Sequence, residues 1–152
     1  MKKSMNELKI VFVLLVLLCA SCSKKSKIES IFVTNANEYW EYEDYCWNSK
    51  GNYYKYNKNG IRDKYRLRTN EGFVLFNIDG DIEDINIPWS IKNDSTFVSD
   101  NSEYKIEKIS NKEILLSYYH YKIKDKKCFV SLTKWVDAPE GPKPLDSVKA
   151  KQ

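Results

Sequence analysis

The chain has a single histidine, His120, set in Tyr118-Tyr119-His120-Tyr121. An imidazole acting as a general base needs a nucleophile and an orienting carboxylate within hydrogen-bond reach. Neither has a local motif beside His120, which therefore reads as a structural or surface residue. One histidine also excludes a multi-histidine metal centre. Asp79-Gly80-Asp81, with Glu83 and Asp84, carries the oxygen ligands that calcium favours. The spacing is not that of an EF-hand loop, so a hairpin tip with solvated charge is expected. Glu41, Glu43 and Asp44 could pass for the paired carboxylates of a glycosidase. Alternate residues of a strand share a face about 6–7 Å apart, but nothing separates these three from ordinary surface charge. A Gly-rich phosphate loop and a Gly-x-Ser-x-Gly elbow are both absent. The residues predict no catalytic set, no metal site and no cofactor, and so a protein that is not an enzyme.

The elements that would position these groups follow from composition and pattern. A length of 152 residues predicts one domain. A chain that is 42% hydrophobic and 30% charged is not disordered throughout. The net charge of +4 is mild and excludes an evident electrostatic nucleic-acid binder. Eleven Tyr and four Trp against five Gly and four Pro indicate a strand-rich chain.

From residue 48 onward, turn signals recur every 8–12 residues, the spacing of an all-β sandwich or barrel. They include Asn48-Ser49-Lys50-Gly51, Asn59-Gly60, Asp79-Gly80, Asn93-Asp94, Asp100-Asn101 and Lys124-Asp125-Lys126. Between them apolar and polar residues alternate. Ile85, Ile87, Trp89 and Ile91 share one face, and Asn86, Ser90 and Lys92 the other. A period of two with one polar face predicts antiparallel strands packed on one side. The expected strands lie near 38–47, 52–58, 61–69, 72–78, 81–92, 95–99, 103–109, 112–123 and 127–136, with the weakest signals at 61–69 and 95–99. Pro88 should interrupt the fifth, because it has no N–H for the ladder. No amphipathic helix is visible after residue 22. The segment from Asp137, with Pro139, Pro142 and Pro144, reads as a disordered tail over 137–152.

The first 22 residues have the layout of a signal peptide. Lys2, Lys3 and Lys9 precede the apolar run Ile10 to Leu18, and small residues follow. Ala20-Ser21-Cys22 resembles a bacterial lipobox, with Cys19 where that family usually has Leu. The resemblance implies lipidation of Cys22 after cleavage, and two or three acyl chains hold a protein firmly to a membrane. Ser23, with Lys24, Lys25 and Lys27, resembles the sorting context of Gram-negative lipoproteins of the outer membrane on its periplasmic face. Residues 23–36 would be a tether.

Four segments carry a second resemblance, covering 37–136. They are Tyr39-Trp40, then Tyr53-Tyr54-Lys55-Tyr56-Asn57-Lys58-Asn59-Gly60, then Trp89-Ser90-Ile91-Lys92-Asn93-Asp94-Ser95-Thr96 with the run from Tyr104 to Leu116. Their order resembles the lipocalin-like domains of the calycin group. The resemblance implies an all-β, antiparallel, up-and-down barrel of eight strands, or nine. Trp40 matches the Trp of the family's opening Gly-x-Trp, with Glu38 in the Gly position, and Lys134 stands nearest to the Arg that packs over that Trp.

In an eight-stranded meander the first and last strands pair antiparallel. Cys46 and Cys128 lie one in each. If they face each other as a disulfide, suited to the oxidising envelope, then Asp44 opposes Val130, Tyr42 opposes Leu132 and Trp40 opposes Lys134. Nine strands would make the ends parallel, so this register requires one of the weakest strands to be absent.

Trp40, Tyr42, Trp89, Ile91, Tyr104, Ile106, Val130 and Leu132 would then line the barrel. Two functions remain open. A hollow barrel would bind a small apolar or amphipathic ligand. A filled barrel would present outer aromatics to an envelope protein or glycan.

Overall fold

The computed structural model describes residues 26–76 and 86–147. Cys22, the lysines beside it, the Asp79–Asp84 acidic group and Ile85 lie outside the described residues, as does 148–152.

The chain forms a closed antiparallel barrel of eight strands, with two further strands attached. The wall runs through β1 (Glu38–Asp44), β2 (Ser49–Tyr56), β3 (Ile61–Arg68), β5 (Ile87–Lys92), β6 (Thr96–Ser99), β7 (Ser102–Ile109), β8 (Glu113–Tyr119) and β9 (Lys127–Ala138), and closes by pairing β9 with β1. The extra strands are β4 (Gly72–Leu75), which pairs with β3, and β10 (Gly141–Pro144), which pairs with β9. The closing register matches the sequence expectation: Trp40 faces Lys134, Tyr42 faces Leu132 and Asp44 faces Val130. Cys46 and Cys128 form the disulfide, with Cα atoms 5.6 Å apart.

Both strands with the weakest signals are present, as β3 and β6. The strand that does not enter the wall is β4. Only Ile61 and Arg62 of β3 pair with β5, while Tyr65 to Arg68 pair with β4. Phe73 of β4 stacks on Tyr39 with ring centroids 3.8 Å apart, and lies 5.0 Å from Tyr53 and 6.5 Å from Trp135. These partners alternate with the core residues Trp40, Tyr54 and Lys134, so they point out of the barrel. The β3–β4 hairpin therefore folds over the outside of β1, β2 and β9. Tyr39 and Tyr53 are buried beneath it. The Lys55 Nζ caps this outer layer 4.4 Å from the Tyr39 ring.

Two segments depart from the sequence expectation. Within 23–36 the chain forms a helix, α1 (Lys27–Phe32), capped by the Ser26 side chain, which accepts from the Glu29 N–H at 3.1 Å. Six residues are too few to show helical periodicity, and so short a helix depends on tertiary packing. Phe32 supplies that packing: it is fully buried and stacks on Phe97 at 4.8 Å. In 137–152, β9 runs on to Ala138, β10 follows, and a 3₁₀ turn spans Leu145–Ser147. Pro142 and Pro144 are tolerated because alternate residues direct their N–H positions to one side, and β10 is an edge strand among the described residues. Pro88 stands at the start of β5, opposite Ile61.

Candidate functional site

The two ends of the barrel differ. At the end where β1 begins, α1 acts as a plug. The Trp40 indole N–H donates to the Phe32 carbonyl at 2.9 Å, and Trp89 donates to the Asn57 carbonyl at 3.2 Å. Tyr56, Trp89 and Phe97 surround the Phe32 ring, with centroids between 4.8 and 6.1 Å. Burial pushes the Tyr56 hydroxyl well above its usual range. This half of the barrel is filled. A shallow cavity of about 430 Å³ lies outside it, between α1 and the 3₁₀ turn, lined by Ile31, Val33, Asn35, Glu38, Lys58 and Leu145 among others.

At the other end the barrel is open. A cavity of about 430 Å³ there is lined by Tyr42, Asp44, Trp47, Tyr104, Tyr118 and Tyr121, with Glu103 at its edge. Asp44 is its floor and is only 4% exposed. One carboxylate oxygen accepts from the N–H groups of Cys46 at 2.8 Å and Trp47 at 3.2 Å. The other accepts from the hydroxyls of Tyr118 at 2.8 Å and Tyr42 at 3.3 Å. The two N–H contacts form an Asx turn, which ends β1 at Asp44 rather than at residue 47. Asn48, at φ 50°, completes the reversal. The disulfide joins this turn to the start of β9. Tyr42 titrates far above its usual range, through burial first and then its neighbours Tyr104 and Asp44. Tyr118 does likewise, through burial and its bond to Asp44.

The rim of this mouth is aromatic. Of the eight large hydrophobic residues exposed among those described, six lie on its turns and the adjoining strand ends: Tyr45, Trp47, Tyr119, Tyr121, Ile123 and Phe129. The ring planes of Trp47, His120 and Tyr121 lie within 23° of one another, with centroids 5.0–5.9 Å apart.

All eight residues expected to line the barrel belong to one inner cluster. Trp40, Trp89, Val130 and Leu132 are buried in it, and Tyr42, Ile91, Tyr104 and Ile106 pack against it half-buried. The sequence reading missed Phe32, Tyr54, Tyr56, Phe97, Ile114 and Leu116, which share that cluster. Alternation already placed Ile114 and Leu116 on one face, and the pairing of Trp40 with Tyr54 would have found Tyr54. No periodic signal marked Phe32.

The candidate catalytic groups are not assembled. The Nδ1 of His120 accepts from the N–H groups of Lys122 and Ile123 at 3.1 and 3.2 Å, which shapes the 120–126 loop. Glu41 points outward and accepts from the Trp135 indole at 2.8 Å and the Tyr53 hydroxyl at 3.4 Å. Asp44 points inward, so it does not join Glu41 and Glu43 on one face. Among the described residues no cluster of three metal-ligating side chains occurs.

Fold and site define a plugged β-barrel with an aromatic mouth closed at its base by a buried carboxylate. Comparison with protein-family models, with curated proteins and with solved structures finds no significant match. The functional reading rests on the geometry of the barrel itself.

Proposed function

We propose that this protein is a lipid-anchored envelope lipoprotein whose lipocalin-like barrel is a non-enzymatic binding module, with its ligand site at the open mouth. The observation that carries the reading is the contrast between the ends: α1 fills one, and the other holds an open concavity lined by tyrosine and tryptophan side chains around Asp44. The volume falls in the range of small-molecule sites, about 300–1,000 Å³. The half-polar wall favours an amphipathic ligand over a purely apolar one.

The anchor reading rests on Ala20-Ser21-Cys22 and the basic residues after it, and places the protein at the outer membrane facing the periplasm. Cys22 lies four residues before Ser26, which caps α1 at the plugged end. Four residues reach about 14 Å at most. A lipid on Cys22 would therefore hold the plugged end at the membrane and turn the mouth away from it.

Native mass spectrometry of the full chain, extracted in mild detergent, tests the ligand site. A reproducible extra mass that organic solvent displaces, and that Tyr104→Leu abolishes, is the expected result. A bare mass in every preparation would remove the ligand reading. Metabolic labelling with a lipid precursor checks the anchor: label should be absent from Cys22→Ala, and retained label would overturn it.

The exposed rim favours a second reading, in which Trp47, Tyr119 and Tyr121 contact an envelope protein or glycan directly. Crosslinking from position 119 would then capture a partner even from a protein with a bare mass.

A further inference from the structure

The mouth, if it is the binding site proposed above, has a chemistry that selects a class of ligand. Asp44 is a carboxylate buried to more than nine-tenths, and no Lys, Arg or His pairs with it among the described residues. The inward guanidinium of Arg62 lies 4.4 Å over the Tyr54 ring and does not line the mouth. A carboxylate has about four lone-pair sites. In Asp44 all four are taken by Cys46 N–H, Trp47 N–H, Tyr42 O–H and Tyr118 O–H. Such a group projects negative charge into the cavity but offers no free acceptor. A sugar hydroxyl or a hydrated metal ion would gain most from such an acceptor. A cation whose charge is spread over methyl or methylene groups needs none.

The walls favour the same choice. The rings of Tyr42, Tyr104, Tyr118 and Trp47 surround the cavity, and among the described residues no Lys or Arg lines it. Among the described residues the only other charged one in the lining is Glu103, which pairs at its exposed edge with Lys92 at 2.8 Å. Aromatic faces attract cations through the ring quadrupole, most strongly where water is excluded. We propose that the mouth binds an organic cation of the quaternary-ammonium class, with its charge held over the tyrosine and tryptophan faces above Asp44.

Calorimetric titration of the full chain in nonionic detergent tests this, with tetramethylammonium and choline as probes. The control is the neutral tert-butyl analogue of choline, in which carbon replaces the charged nitrogen. Choline should bind about tenfold or more tighter than its neutral analogue, the scale of one strong cation–π contact together with a nearby charge, and added salt should erode the difference. Tyr104→Leu leaves all four donors to Asp44 in place and should weaken choline binding while the fold is kept. Asp44→Asn should abolish the preference for the charged probe. Where Asp44→Asn disturbs the turn, Tyr104→Leu alone decides. Equal binding of choline and its neutral analogue would overturn the cation assignment and leave the mouth as the binding site. Binding of a neutral disaccharide with none of choline would also overturn it. No binding of any probe, together with a bare mass of the native protein, would remove both the assignment and the reading beneath it.

Discussion

The Lys134 ammonium lies 4.6 Å from the centroid of the Trp40 ring and 3.4 Å from a carboxylate oxygen of Glu38. The two ring partners are directly opposed residues on the strands that close the barrel. The cation is nearly buried, so the indole face and Glu38 together replace the water it gives up. Burial alone would raise the Glu38 carboxyl, but the Asn35 N–H and Lys134 outweigh it and hold it below its ordinary value.

Lys134→Met should therefore lower stability by about 1–3 kcal/mol, because it leaves Glu38 without its cation at the barrel seam. Lys134→Arg should recover most of the loss. Urea unfolding midpoints measure both; an unchanged midpoint in Lys134→Met would mean that the contact adds nothing to the seam.

The Cys46–Cys128 bond spans 82 residues of sequence. In the chain-entropy picture a loop of that length is stabilised by about 4–5 kcal/mol. The Cys46→Ser/Cys128→Ser double variant should lose that much, read from urea or thermal unfolding. Its mouth should also loosen, because the turn that donates to Asp44 is then no longer tied to β9. Hydrogen exchange at the Cys46 and Trp47 amides of the variant should rise relative to that at Trp40.

Phe32 is the plug of the filled end. Phe32→Ala should cost about 3–5 kcal/mol, the usual range for truncating a fully buried aromatic. The helix backbone still accepts the Trp40 indole, so the defect should appear as a cavity next to Phe97 and not as a lost hydrogen bond. Binding of an apolar probe such as xenon at that end of the variant, and not of the parent, would show the cavity.

Glu107 accepts from Lys127 at 2.7 Å, from Ser117 at 2.7 Å and from Lys105 at 3.3 Å. These contacts, Lys127 foremost, hold its carboxyl at about 2 against an ordinary 4.5. A carboxyl lowered in the folded state stabilises the fold above its unfolded value, and the contribution fades as pH falls. The stability difference between parent and Glu107→Gln should be full above pH 4.5 and vanish towards pH 2. Paired unfolding curves across that window check it. A difference that stays constant with pH would show that the ionised carboxylate is not its source.

Much of the barrel is legible in the chain because its causes are local. Tight turns need positive φ, and Gly60 of Asn59-Gly60 and both residues of Asn93-Asp94 adopt it where turns were expected. Period-two alternation placed the inner faces, and the two cysteines set the register that brings Trp40 to Lys134. Non-local packing was not legible. The sequence marks a strand near 72–78, but only the tertiary structure decides that Phe73 finds more to cover on Tyr39, Tyr53 and Trp135 than in the wall. The same holds for α1, a six-residue helix whose stability comes from the pocket that Phe32 fills. It holds also for Asp44, which in sequence is one of three neighbouring acids. The strand pleat points it inward, and donors from Tyr42, Cys46, Trp47 and Tyr118, up to 74 residues distant, make it a buried anion. Strand pattern and turn chemistry are properties of a few adjacent residues and can be read along the chain. Which surface covers which, and which charge is left without a cation, depends on groups that meet only when the barrel closes.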